Sequence, residues 1–311
     1  MSPTSDSVYE GLFGGGDDHW AFGTEFSDPL AHADAPLPGG VSRAALAAYC
    51  LMLGDDALVL SNRLSQWCGR APDLEVDIAL ANIALDLLGQ AQVLLSRAAV
   101  ADPSVVPQLP QGSPVPAQDA LAFFRADRAF RNTRLVEAEN GDFGETVSRL
   151  LVFATWRLAI FDRLAGSTGL SGSRDVILSG VAAKGVKELT YHRDFAARWF
   201  VTLAQGTPES RRRVLAGLDA AWQHHDELFQ PHPVEQELAT AGVAVDPADI
   251  AAAADAVLRQ VLAAGDAGVP TMPQAGLPGG MTGRDGLHTE ALSRMLAQMQ
   301  SVARAHPLGR W

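Results

Sequence analysis

Apolar side chains recur every three or four positions from Ser42 onward, the spacing of one face of an α-helix. Tyr49, Met52, Leu53, Val59, Leu60, Leu64 and Trp67 trace such a face on a first helix. It opens with Ser42 as N-cap and closes at about Trp67, before the breaker Cys68-Gly69-Arg70-Ala71-Pro72. Asp73 caps a second helix, carrying Leu74, Ile78, Leu85, Leu88 and Leu95, that runs to about Ala99. After a loop with Pro103, Pro107, Pro110, Pro114 and Pro116, the pattern predicts a shorter helix over about 118–131 and a turn at Glu139-Asn140-Gly141. Asp142, with Glu145 three residues later, starts a helix to about Leu164. A long helix follows from about Arg174 to Ala204, another from Thr207-Pro208 to near Pro231, and two more over about 247–264 and 287–305.

No alternating strand pattern competes with these helices, so the expected fold is an all-α bundle. The first, second, fourth and fifth helices form its core; the short helix and the C-terminal helices pack outside it or at an interface. Residues 1–41, with Gly14, Gly15, Gly16, several prolines and many aspartates, show no sustained period and are read as a flexible or loosely docked arm. Residues 42–311 make a single domain.

Composition narrows the function. Hydrophobic residues at 47% and charged residues at 19% suit a folded globular chain, and a formal net charge of -12 offers no basic surplus for neutralising phosphates, which argues against nucleic-acid binding. Two cysteines, Cys50 and Cys68, are too few for a disulfide framework or thiolate zinc site; beside apolar helical runs, both are expected to be reduced and buried. No membrane span is expected, and the acidic N-terminal segment lacks the basic and apolar regions of a secretory signal. The expected compartment is the cytoplasm.

The candidate chemistry lies in ionisable residues on stripes that should be buried. Asp56 sits within the apolar face of the first helix and Asp86 within the run IALDLLG of the second. Lys184, Glu188 and His192 follow one another at four-residue steps on the long helix, on one face with Ile177, Phe195 and Trp199. Inward carboxylates at such places suggest a di-iron carboxylate bundle, in which two helices each give one Glu and two give Glu-x-x-His. Three residues after Asp86 stands Gly89, not His; the 142–164 helix has Leu150, Leu151, Ala154 and Leu158 where a carboxylate is needed; and Tyr191 follows Glu188 at the third position, with His192 one residue late. The expectation is a vestigial, metal-free polar cluster of Asp56, Asp86, Lys184, Glu188 and His192, with no catalytic residue. Asp56 is expected to bond to Asn82, Arg63 or a facing hydroxyl, and Lys184 to supply the charge a metal would bring. The adjacent His224 and His225 read as surface residues, and His288 or Thr289 as the cap of the last helix or an interface contact.

Three blocks resemble the structural C subunit family of bacterial phenylacetyl-CoA epoxidase: LGDDALVLSNRLSQWCGRAPDLEVDIALANIALDLLGQAQ (53–92), KELTYHRDFAARWF (187–200) and DGLHTEALSRMLAQMQSVARAHPLGRW (285–311). The resemblance spans about Ala45 to Trp311; the arm 1–41 and the loop 103–116 look longer than the family pattern requires. It implies a ferritin-like fold and a subunit that pairs with a catalytic A subunit holding the di-iron centre. A small B subunit and an FAD/iron–sulfur reductase would complete an NADPH- and oxygen-dependent epoxidase of phenylacetate degradation. Two functions are thus in view: a non-catalytic scaffold of that complex, or a stand-alone ferritin-like oxidase with an atypical carboxylate site.

Overall fold

The computed structural model describes residues 34–167, 169, 171–271, 274 and 278–309. Of the expected arm, residues 1–33 lie outside this set. Residues 34–41 are tied down where Arg97 donates to the carbonyl oxygens of Ala35 and Pro36, and Arg174 to that of Gly39.

Four long helices form the bundle: α1 (Arg43–Ser65), α2 (Leu74–Ala101), α4 (Phe143–Ala165) and α5 (Val176–Ala204), with the short α3 (Ala117–Phe123) between the two pairs. Each long helix starts where a short polar side chain captures a free N–H: Ser42 that of Ala45, Asp73 that of Val76, Asp142 that of Glu145 and Asp175 those of Ile177 and Leu178. Around them pack α6 (Pro208–Trp222), α7 (Pro233–Thr240), α8 (Ala251–Ala264), α9 (Glu290–Met299) and α10 (Ser301–Ala305). No strand occurs among the described residues, and the architecture is all-α and ferritin-like. By length and composition α1 and α2 could each cross a membrane, but 89% of the apolar window of α1 is buried inside the protein.

The expected helix over 118–131 ends at Phe123, because the chain beyond it is drawn onto buried carboxylates of α1. Asp55 accepts the backbone N–H of Arg131 at 2.8 Å and a two-pronged contact from Arg125; Asp56 accepts the N–H of Thr133 at 2.8 Å. A helix over these residues would have kept those N–H groups for itself. The last expected helix, over 287–305, likewise begins only at Glu290, since His288 and Thr289 are drawn onto Glu137. Arg284 bonds to Asp56 at 2.9 Å and to the carbonyl oxygens of Met52 and Arg131. The short helix α7 has no counterpart among the expected elements.

Together with α2, this covering layer encloses α1: 18 of its 23 residues are buried. Charged contacts hold the layer in place. Glu227 accepts from Arg134 Nε at 2.8 Å and from the N–H of Gly283 at 2.9 Å. Glu137 takes the amide of Asn132, the N–H and hydroxyl of Thr289, and Nδ1 of His288 at 2.5 Å. His288 is therefore no cap: it bridges Glu137 to the carbonyl oxygen of Phe130. Cys50 is buried as expected, but Cys68 is exposed, in the turn that follows α1. His225 is not on the surface either; it is buried, stacked on Trp222 and bonded to Asp255 at 2.9 Å.

Two outcomes follow from this layer. A Cβ at Gly283 would lie 2.0 Å from the backbone oxygen of Asn132, so Gly283→Ala should lower unfolding free energy in urea by about 1–3 kcal/mol or more. Burial disfavours the charged form of His288, but the Glu137 hydrogen bond and charge outweigh it and raise the pKa above 6.5. The stability this pair contributes is present in full below pH 6.5 and is lost as pH rises through the folded value. The difference in urea midpoint between the parent chain and His288→Gln should therefore be flat below that pH and shrink above it.

Candidate functional site

The five polar residues expected to form one cluster lie in three places. Asp56 faces the covering layer, bonded to Arg284 and to the N–H and hydroxyl of Thr133, so that a facing hydroxyl is its partner and not Asn82 or Arg63. Burial pushes its pKa up, and Arg284, then Arg157, then the Thr133 N–H oppose that. Asp86 and His192 pair across the α2–α5 contact at 3.0 Å, with His192 buried and Asp86 37% exposed. Glu188 accepts from Gln90 Nε2 at 2.9 Å. Lys184 lies 3.5 Å from Glu188 but is 72% exposed, so it cannot serve as the internal cation.

That cation is Arg157 on α4, a residue that an apolar reading of this helix's inner face does not single out. It is fully buried, donating from Nε to Gln90 Oε1 at 3.0 Å and from Nη1 to the carbonyl oxygen of Leu53 at 3.1 Å. Its guanidinium also lies 4.5 Å from the ring centre of Phe161. Burial pulls its pKa down to about 10, with Asp56 acting in the opposite sense, so it is charged near neutral pH. A chain of polar contacts thus runs from α1 through Arg157 of α4 and Gln90 of α2 to Glu188 of α5. Leu53 and Gln90 are recognisable only through their partners; a lone Arg amid LLVFATWRLAIF is the one legible signal.

Periodicity also misjudges which way α2 faces. Leu74, Ile78, Leu85 and Leu88, four of the five residues that mark it as a helix, are exposed at 70%, 53%, 63% and 44%, while the fifth, Leu95, is buried. Its buried side carries Val76, Leu80, Ile83, Leu87, Gln90 and Leu94. α2 is apolar nearly all round, and periodicity cannot choose between two apolar faces. A Cβ at Gly89 would meet nothing within 4 Å, so this position points away from the bundle centre.

The residues present do not fit a di-iron group. Among the described residues no three His, Cys, Asp or Glu side chains converge on one point. The buried polar atoms left without partners at this level are Nη2 of Arg157, a cationic donor, and Nδ1 of His192. A guanidinium in the centre repels a metal cation instead of ligating it. Arg157→Met should cost about 2–4 kcal/mol in chemical unfolding, since the Leu53 carbonyl and the Gln90 amide lose their donor inside the core.

Residues 34–311 match the family described as "Phenylacetic acid catabolic protein". Among curated proteins, the C subunit of the 1,2-phenylacetyl-CoA epoxidase of Escherichia coli (strain K12) is 41% identical over 266 residues, which cover 86% of this chain and 99% of that protein.

Proposed function

This chain belongs to the phenylacetic acid catabolic protein family, and from that membership we propose that it is a non-catalytic structural subunit of a phenylacetyl-CoA epoxidase. The observation that supports this reading most is the guanidinium of Arg157 at the centre of the four helices. It supplies internally the positive charge that a ferritin-like bundle otherwise takes from metal, so the packing is kept while the ligand set is free to drift. In this reading the chain contributes surface and stability, and the di-iron centre belongs to a catalytic A subunit. A small B subunit and an FAD/iron–sulfur reductase complete an NADPH- and oxygen-dependent assembly in the cytoplasm.

The outward stripe of α2 is the surface this reading gives to the catalytic partner. Leu74, Ile78, Leu85 and Leu88 place four large apolar side chains along one helix face, and exposed Tyr191 lies on α5 beside His192, which reaches Asp86. Contiguous exposed apolar side chains are costly in a free monomer and favourable at the centre of a permanent interface. Asp86 flanks this stripe on the side toward α5 and already has His192 behind it, so covering it does not strand an unpaired carboxylate. The competing stand-alone oxidase needs converging ligands that the described residues do not bring together.

Co-expressed with a catalytic partner, the chain should purify in a stable complex and turn over no substrate by itself. Leu85→Asp with Leu88→Asp should weaken that complex roughly a hundredfold or more, because both side chains would be buried in its centre. The melting temperature of the isolated chain should stay unchanged. Stoichiometric iron in the isolated chain together with oxygen consumption overturns the reading.

A further inference from the structure

Two apolar hollows meet at the short helix α3, where Asp119 and Phe123 line both. The smaller, of about 250 Å³, continues the outward face of α2. Leu88 ends the exposed stripe, and Gln92 and Leu95 follow it at helical spacing along the floor of this hollow. The larger, of about 620 Å³, lies between α3 and the C-terminal helices, walled by Pro114, Pro116, Phe124, Met299 and Val302. These walls are held from behind. Gln300 donates to the carbonyl oxygens of Ala122 and Arg125 at 3.0 and 3.1 Å. Arg304 donates to those of Phe123 and Arg125, and Ser113 to that of Pro307.

Among the described residues, Asp119 is the only charged side chain that lines either hollow. It is half-buried, and no hydrogen bond or ion pair reaches its carboxylate from those residues. The buried acids Asp55, Asp56 and Asp175, by contrast, are each met by an arginine. Burial pushes the pKa of Asp119 up and no cation opposes it, since Arg304 commits its donors to carbonyl oxygens. A carboxylate desolvated without a counter-charge is a cost that an incoming cation relieves. Phe123 and Phe124 line the same hollow as this acid. Such a set suits a guanidinium better than an ammonium, because the planar fork bonds the carboxylate while its face stacks on phenyl rings.

We propose that this site receives an arginine of the catalytic partner, its guanidinium on Asp119 and its apolar neighbours in the two hollows. The inference rests on the structural-subunit reading, in which that partner covers the α2 stripe that runs into the smaller hollow. The parent chain, Asp119→Asn and Asp119→Glu are each combined with the catalytic partner, and the dissociation constant is measured as salt is raised. Asp119→Asn should bind roughly tenfold or more weakly, and its affinity should depend less on salt. Asp119→Glu, which keeps the charge, should lose less. Alone, Asp119→Asn should melt no lower than the parent, because no internal partner is stranded. Mapped with phenylglyoxal, at least one arginine of the partner should be shielded in the parent complex and reactive in the Asp119→Asn complex. Equal affinity of parent and Asp119→Asn, equal loss in both variants, or no arginine shielded in this way overturns the inference and leaves the structural-subunit reading intact. A lower melting temperature of Asp119→Asn assigns the acid to internal packing and likewise overturns it. A parent chain that forms no complex overturns both.

Discussion

The contact between Arg284 and Asp56 joins the last part of the chain to the first helix, and much else is arranged to make it bearable. Asp55 and Asp56 are neighbours on α1 and point about 100° apart; the 125–133 segment donates to both, and Arg284 brings a cation to Asp56 from a second segment. Each buried carboxylate is costly unless met by a cation and by N–H donors. Arg125 and the Arg131 N–H meet one; Arg284 and the Thr133 N–H meet the other. The stretch around Arg131 and Thr133 cannot be helical, because its N–H groups are turned toward α1. The irregular layer is thus a consequence of two adjacent acids in a core helix.

Arg157 solves a related problem on the other side of α1. Its donors go to a backbone oxygen and a side-chain amide, so its charge is balanced at a distance by Asp56 and Glu188 and not by a direct ion pair. Asp56 therefore stands between two guanidiniums, one from the bundle and one from the covering layer. The two halves of the structure are electrostatically joined through that carboxylate, although they pack on different faces of the helix.

The fold is largely legible in the sequence because caps and apolar spacing are local signals. Ser42, Asp73 and Asp142 start helices within a residue of where the pattern puts them. What the pattern misses is non-local. The 118–131 segment has helical spacing, but its backbone donors are worth more to Asp55 and Asp56, some 70 residues earlier in the chain. The stripe on α2 identifies a helix but not its orientation. Lys184 shares a face with Glu188 and looks like a natural internal cation, yet an α5 side chain at that position extends into solvent, while the true cation comes from a helix whose inner face reads as apolar. Glu137, Glu227 and Arg284, which organise the covering layer, carry no motif that singles them out.

The direction in which Gly89 points has a consequence for what substitution can do to the bundle. Its Cβ would project into open space, on the side of α2 that carries the exposed leucines. A histidine placed there would emerge on the outside, where it could disturb a neighbour but could not reach the interior. A carboxylate placed on the inner face of α4 would meet the guanidinium of Arg157. Neither change by itself assembles a metal site, a limit set by the orientation of one helix and the charge of one arginine.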